Sequence, residues 1–461
     1  MSSTPAPPTR TSGSRGRQRS SLLGALGWFA ASYGFAVVGS LGVNAIASRW
    51  LGVDGFGYFI IATTVSVGIG QLALLGVHRA GLRDAATMEA GADPDTVLRD
   101  LRSAARGAIM VSLPAFSLVA ASILYVVLTG VSGSDRVLLA VVFGVLVFLA
   151  GLQKLWASYL RGMGVVRLAG LLEGRSGGAL VVLAQAVALA LAWWLLEPTG
   201  LTGALVAVSI GYLVPVLALG AVVQRRWRHV DRGAGAVVAL GRAVRRSWRF
   251  AVNQFASYLG GIVEIWMAGL LLSALDTSLF SSAQRLALLI VVPLIALQIV
   301  FAPICARLLH QGETQQLERV LRTGATLAAL CTLVFWLPTL VAPGPVLSVV
   351  FGEPFAAAAT VLVVLSLGNA VNVLTGLSGA ALTMSHREGA AATVQVATLV
   401  LRIVVGTAAA LVWGLMGLAV SSAALSTLSF AVMWWQARRL VGVSTHITLR
   451  PDLRLLRSTK G

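Results

Sequence analysis

Hydrophobic residues recur along this chain in long uninterrupted runs, each bounded by short polar stretches. The runs fall at about 22–46, 57–77, 107–129, 137–160, 176–196, 201–224, 250–274, 283–308, 324–342, 355–382, 389–412 and 414–437. A helix needs about 20 apolar residues to cross a bilayer, so the pattern predicts twelve spans. Pro114, Pro215, Pro293, Pro303 and Pro338 fall inside runs and predict kinks. The seventh run differs from the others because it carries a carboxylate, Glu264. Placing an acid at that depth costs about 2.5 kcal/mol or more, which makes Glu264 a candidate functional group. Asn253, Ser257, Gly260 and Glu264 are spaced at i, i+4, i+7 and i+11, so one polar face of a continuous helix is expected.

The spans divide into two sets of six. The expected organisation is a disordered tail at 1–20, a six-helix bundle at 21–224, a basic linker at 225–249, a second bundle at 250–437 and a basic tail at 438–461. Asp54 precedes Tyr58 by four residues after the first span, and Asp276 precedes Phe280 by four after the seventh. The sixth span opens on Gly200–Gly203 (GLTG) and the twelfth on Gly414–Gly417 (GLMG). An even number of spans per half gives both halves one orientation, so the repeat axis runs along the membrane normal with a site between the halves. The fold class is therefore an all-α polytopic membrane protein of two related six-helix bundles.

Composition agrees: 57% of the 461 residues are hydrophobic and 11% are charged. That charged fraction is about half of what a soluble protein carries. The net charge of +18 does not imply nucleic acid, because the arginines crowd into alternate loops. Only Arg49, Arg136 and Arg285 are assigned to the other side, so both termini are expected to be cytoplasmic in the cell membrane. The two cysteines and five histidines show no ligand spacing, and no phosphate-binding loop or nucleophile constellation is present. No cofactor, no metal and no nucleic-acid partner is expected, and the chain reads as a transporter rather than an enzyme. A membrane glycosyltransferase or polysaccharide ligase would use longer outer loops than the short ones here.

The segment Ser48–Phe59 (SRWLGVDGFGYF) resembles the corner after the first helix of bacterial polysaccharide exporters. The run through Leu279–Leu286 (LFSSAQRL) to Pro303 is similar to their helices 7 and 8, and Phe351–Gly368 and Gly414–Leu425 look like the starts of their helices 10 and 12. Taken in order, these matches resemble the oligosaccharide flippases of the Wzx type, in the superfamily of the MATE exporters and the lipid II flippase. The resemblance implies a V-shaped pair of bundles that flips an undecaprenyl-diphosphate-linked oligosaccharide by alternating access, with a polymerase and glycosyltransferases as pathway partners. It places Glu264 at the position of the helix 7 acid and Arg285 at the arginine that lines the cavity; Arg402 stands where many relatives have Asn.

On this reading Glu264 takes a proton or Na⁺ and couples transport to an ion gradient, or pairs with an arginine to join two helices. Arg402 holds the diphosphate through bidentate hydrogen bonds, or is the partner of Glu264. Asn369 and Asn372, with Gln71 and Gln298, contact sugar hydroxyls or bond neighbouring helices. A MATE-type antiporter of cationic drugs is the alternative on the same fold.

Overall fold

The computed structural model describes residues 12–89, 93–130, 132–172, 178–195, 200–229, 235–385 and 387–451. The described residues are helical, with no strand among them. Eight helices are long and apolar enough to cross a membrane. Two of these, Ser12–Ala73 and Glu388–Leu440, each contain two spans that change direction at a glycine. The shorter apolar helix Ala179–Leu195 and a broken seventh span, Ala236–Leu259 with Val263–Leu271, complete twelve. Both described ends of the chain therefore lie at one end of the bundle, the arginine-rich end; the short turns lie at the other.

The corners at Gly52 (φ 68°) and Gly414 (φ 60°) lie in the left-handed region, where a Cβ is strained. They end the first and eleventh spans without a loop. Winding changes elsewhere accompany two of the expected prolines. Pro114 follows a π-helical turn at Ala108–Ser112, and Pro293 follows a 3₁₀ turn at Leu288–Val291. Pro215 and Pro338 sit inside uninterrupted helices, and the side chain of Pro303 lies outside the described residues.

Three boundaries differ from the sequence expectation. The first helix begins by Ser12, inside the expected tail, and residues 236–249 of the expected linker are the opening turns of the seventh span. The expected outer loop at 275–282 is helical, because the eighth span begins at Ala274. Ser273 caps it, its Oγ accepting from the Asp276 N–H at 3.0 Å. Residues 1–11 and 452–461 of the two expected tails lie outside the described residues.

The halves meet through the first three spans on one side and, on the other, the seventh and eighth spans and the short helix Pro343–Phe351 that precedes the tenth. At the short-turn end, Phe56 packs its ring 5.9 Å from Phe351 and 5.6 Å from Phe355, and all three are buried. Ser48 Oγ donates to the Phe351 carbonyl at 2.9 Å, and Arg49 donates to the Val349 carbonyl, so Arg49 pins this corner. Towards the arginine-rich end, Arg79 donates to Gln254 Oε1 through Nε at 2.9 Å and Nη2 at 2.6 Å. Between these two zones lies an internal space with charged walls.

Candidate functional site

The seventh span does not continue through its centre. Helix Ala236–Leu259 ends at Gly260, the chain turns through Gly261 and Ile262, and a new helix starts at Val263. Paired glycines have no side chains to hold a continuous helix against its neighbours, and a break there exposes backbone groups. The expected single polar face of Asn253, Ser257, Gly260 and Glu264 is therefore not formed: Ser257 is exposed, and the Asn253 side chain lies outside the described residues. Glu264 instead sits in the first turn of the second helix segment, where the helix dipole favours negative charge.

Glu264 is 2% exposed and is paired. Arg402 Nη1 lies 3.2 Å from Glu264 Oε1, and Ser422 Oγ donates to the same oxygen at 3.2 Å. The break supplies a further partner, because Arg402 Nη1 also donates to the Gly260 carbonyl at 2.9 Å. Arg402 Nη2 donates to Ser426 Oγ at 2.6 Å. Spans 7, 11 and 12 are thus joined by one carboxylate, one guanidinium, two hydroxyls and one freed carbonyl. At about 1.5 Å rise per residue these groups lie roughly 12–18 Å from the short-turn end, near mid-membrane. Of the two roles left open by the sequence for Arg402, the structure shows the ion pair with Glu264.

The cluster forms part of the wall of a cavity of about 310 Å³. Arg285, Asn369 and Asn372 line the same cavity, so five of the six candidate residues converge. Tyr33 and Ser40 of the first span close it from the other half. Arg285 was expected near an outer helix end. The early start of the eighth span corrects this, carrying it eleven residues, roughly 17 Å, into the membrane. It also lines a second cavity, of about 50 Å³, in the amino-terminal half with Asn44, Gln185 and Tyr258. Asn369 Nδ2 donates to the Ala287 carbonyl at 3.1 Å and thereby fixes the 3₁₀ turn beside Arg285. Gln71 is buried and accepts from Gln254 Nε2 at 3.3 Å, an interhelical bond, while Gln298 is exposed and does not line the cavity.

Sequence reasoning missed Ser422 and Ser426. Their spacing of four on an apolar helix was a usable signal, since it puts two hydroxyls on one face. The Gly260–Gly261 pair was likewise legible as a break. The charged groups around the cavity are Glu264, Arg285 and Arg402, two cations to one anion. No group of histidine, cysteine or acidic residues among those described could hold a metal ion.

No protein-family model matches the sequence. Over 187 residues the chain is 25% identical to the probable low-salt glycan biosynthesis flippase Agl15 of Haloferax volcanii, covering 40% of this chain and 39% of that protein. The chain thus spans about two fifths of the length of the curated relative it matches. Among solved structures, it is similar to an inward-facing multidrug-resistance MATE transporter of the MOP superfamily, with a TM-score of 0.62 at 16% identity, covering 89% of this chain and 95% of the other. An outward-facing structure of such a transporter gives a TM-score of 0.55 at 17% identity, covering 91% and 95%. The Vibrio cholerae MATE transporter VcmN in its bent form gives 0.54 at 16%, covering 92% and 98%. The chain has the fold of these transporters, and the resemblance read from its sequence holds at that level.

Proposed function

We propose that the protein is a flippase that moves a lipid-linked oligosaccharide across the cytoplasmic membrane by alternating access. The observation that carries this reading is the charge of the mid-membrane cavity. Glu264 is already neutralised by Arg402, and Arg285 adds a second guanidinium to the same wall. A diphosphate crossing a low-dielectric route requires compensating cations, and guanidinium forks match its oxygens. A cationic drug would meet a net positive wall with its acid engaged, which disfavours the MATE-type antiporter reading. The partial match to a glycan flippase supports the same substrate class. At about 310 Å³ the cavity holds a headgroup rather than a whole oligosaccharide, so the sugar is accommodated when the halves separate.

The ion pair also supplies a coupling element. A proton or Na⁺ that takes the carboxylate releases Arg402 towards the cavity, and departure of the ion restores the pair. Glycosyltransferases would supply the cargo on the cytoplasmic side, and a polymerase or ligase would consume it outside. The arginine-rich end then faces the cytoplasm. In intact cells a cysteine at Ser132 should react with an impermeant thiol reagent and one at Glu313 should not; the reverse result overturns this orientation.

The deciding experiment places the purified protein in liposomes containing a fluorescent undecaprenyl-diphosphate saccharide. Addition of an impermeant quencher should remove fluorescence from both leaflets, faster under an imposed proton or Na⁺ gradient. Quenching limited to the outer leaflet, together with gradient-driven uptake of a cationic dye, would replace this reading with the drug antiporter.

A further inference from the structure

Gln284, Asn369 and Asn372 bring three primary amides to the wall of the cargo cavity, and the structure sets one apart from the other two. Asn369 commits its amide to the Ala287 carbonyl at 3.1 Å, a bond that ties the tenth span to the eighth. The side-chain amides of Gln284 and Asn372 are bonded to none of the described residues. Both side chains are half-buried, and what they expose faces the cavity and not lipid. Asn372 shares its helix face with Asn369 and Leu365, which line the same space, while Leu367 and Leu374 are exposed on the opposite side of that helix. Gln284 stands in line with Leu288, Val291 and Ile295, which also line the cavity, and Ser281, Ala283 and Leu286 on the other faces are buried.

A primary amide presents two donors and one acceptor and carries no charge, so these two add nothing to the attraction of a diphosphate. They flank the cation instead. Gln284 immediately precedes Arg285, and Asn372 lies one turn beyond Asn369, whose partner Ala287 is two residues past Arg285. With a phosphate at Arg285, the group beside both amides is the one joined to that phosphate, the first sugar ring. Leu288, Val291 and Leu365 on the same two faces supply aliphatic surface next to the amides. A ring substituent with a carbonyl, an N–H and a methyl group matches this wall. Its carbonyl accepts from one amide, its N–H donates to the other, and its methyl rests on the aliphatic surface. A hydroxyl in its place leaves donors and acceptors of the wall unmatched and the aliphatic surface bare.

We infer that Gln284 and Asn372 read the sugar joined to the diphosphate and select a ring that bears an acetamido group. The inference rests on the cargo being a lipid-linked saccharide, and it names the class of its first sugar. Asn369, expected from the sequence to share such a contact, is a brace between two spans.

The test uses the full-length protein in liposomes with two fluorescent undecaprenyl-diphosphate monosaccharides that differ only at C2 of the sugar, one acetamido and one hydroxyl. The wild type should flip the acetamido cargo about tenfold faster, an effect of the size that one or two ordinary hydrogen bonds give. Gln284→Met and Asn372→Leu keep the size of the side chain and remove its amide. Each should slow the acetamido cargo severalfold and the hydroxyl cargo far less, so that the two rates converge. Asn369→Leu should lower the melting temperature and slow both cargoes to the same extent, which is all that a structural role gives. Equal rates for the two cargoes in the wild type, or a ratio that survives in both amide variants, overturns the assignment. The wild-type ratio decides the matter even if no variant folds. Equal flipping of both cargoes leaves the lipid-linked saccharide reading intact and removes only the choice of sugar. Flipping of neither defeats that reading, and this inference with it.

Discussion

In the amino-terminal half the first span runs unbroken through the membrane, and its buried Asn44 donates to the Ser40 carbonyl one turn back in the same helix. In the carboxy-terminal half the seventh span, which holds the equivalent place in the repeat, breaks at Gly260–Ile262 and carries Glu264, whose partner Arg402 lies on another span. The cavity beside Asn44 is about 50 Å³, room for a water or two, whereas the one beside Glu264 is about 310 Å³. A side chain bonded within its own helix does not register movement of its neighbours. An ion pair across spans 7 and 11, completed by hydroxyls of span 12, has more than one arrangement of its donors. On the proposed mechanism the first half serves as a frame and the second as the part that is switched.

The largest effects are expected at the pair. Removing one partner of a buried ion pair costs about 3–5 kcal/mol, because the other charge is stranded. Glu264→Gln and Arg402→Gln should each lower the melting temperature in detergent and abolish flipping. The double variant leaves no stranded charge and should regain most of the stability. It should remain inactive, because the cavity has lost both its switch and one of its cations. Recovery of flipping by the double variant would reduce the pair to a brace between helices and dissolve the contrast between the halves.

A middle-sized effect tests whether the halves move against each other. A Cβ added at Gly57 would lie 2.7 Å from the Ala274 carbonyl and 2.9 Å from Ser278 Oγ, across the seal at the short-turn end. Overpacking of this kind costs about 1–3 kcal/mol. Gly57→Ala should therefore hold the seal open, and a cysteine at the buried Ser48 should then label faster with an impermeant reagent. Gly70→Ala is the control. Its Cβ would lie 2.7 Å from the Val147 carbonyl, wholly inside the first half, so it should lower stability without changing the labelling.

The runs of apolar residues sufficed to place the spans, because bilayer thickness sets their length whatever packs around them. Charge at depth marked Glu264 and Arg402 for the same reason. Their pairing was not legible. The two residues are far apart in sequence, and which helix faces which depends on small residues and close packing that no single span reveals. The polar stretch at 275–282 was misread as a loop, although Ser273 and Asp276, three apart, carry the signature of a helix start. Arg285 was misplaced as a direct consequence, since its depth depends on where that helix begins. Gly260 was counted as a small residue on a face, while the adjacent Gly261 made it a break.

The smallest effect should come from Asn44, although by sequence it stands where the repeat places an acid in the other half. Its amide donates to a carbonyl of its own helix, and loss of such a bond costs about 0.5–1.5 kcal/mol. The residue also lines the small cavity that Arg285 borders, so a role in cargo passage would show at this position if the first half had one. Asn44→Ala should lower the melting temperature slightly and leave both the flipping rate and its ion dependence at wild-type values. Asn44→Leu, which fills the space instead, should behave alike, because the cavity is too small to carry a headgroup. If Asn44→Ala slows flipping tenfold in protein of normal stability, the first half takes part in transport through its own polar site. The division into a frame and a switching half would then be wrong, and Arg285, which borders both cavities, would be the first place to look for the path between them.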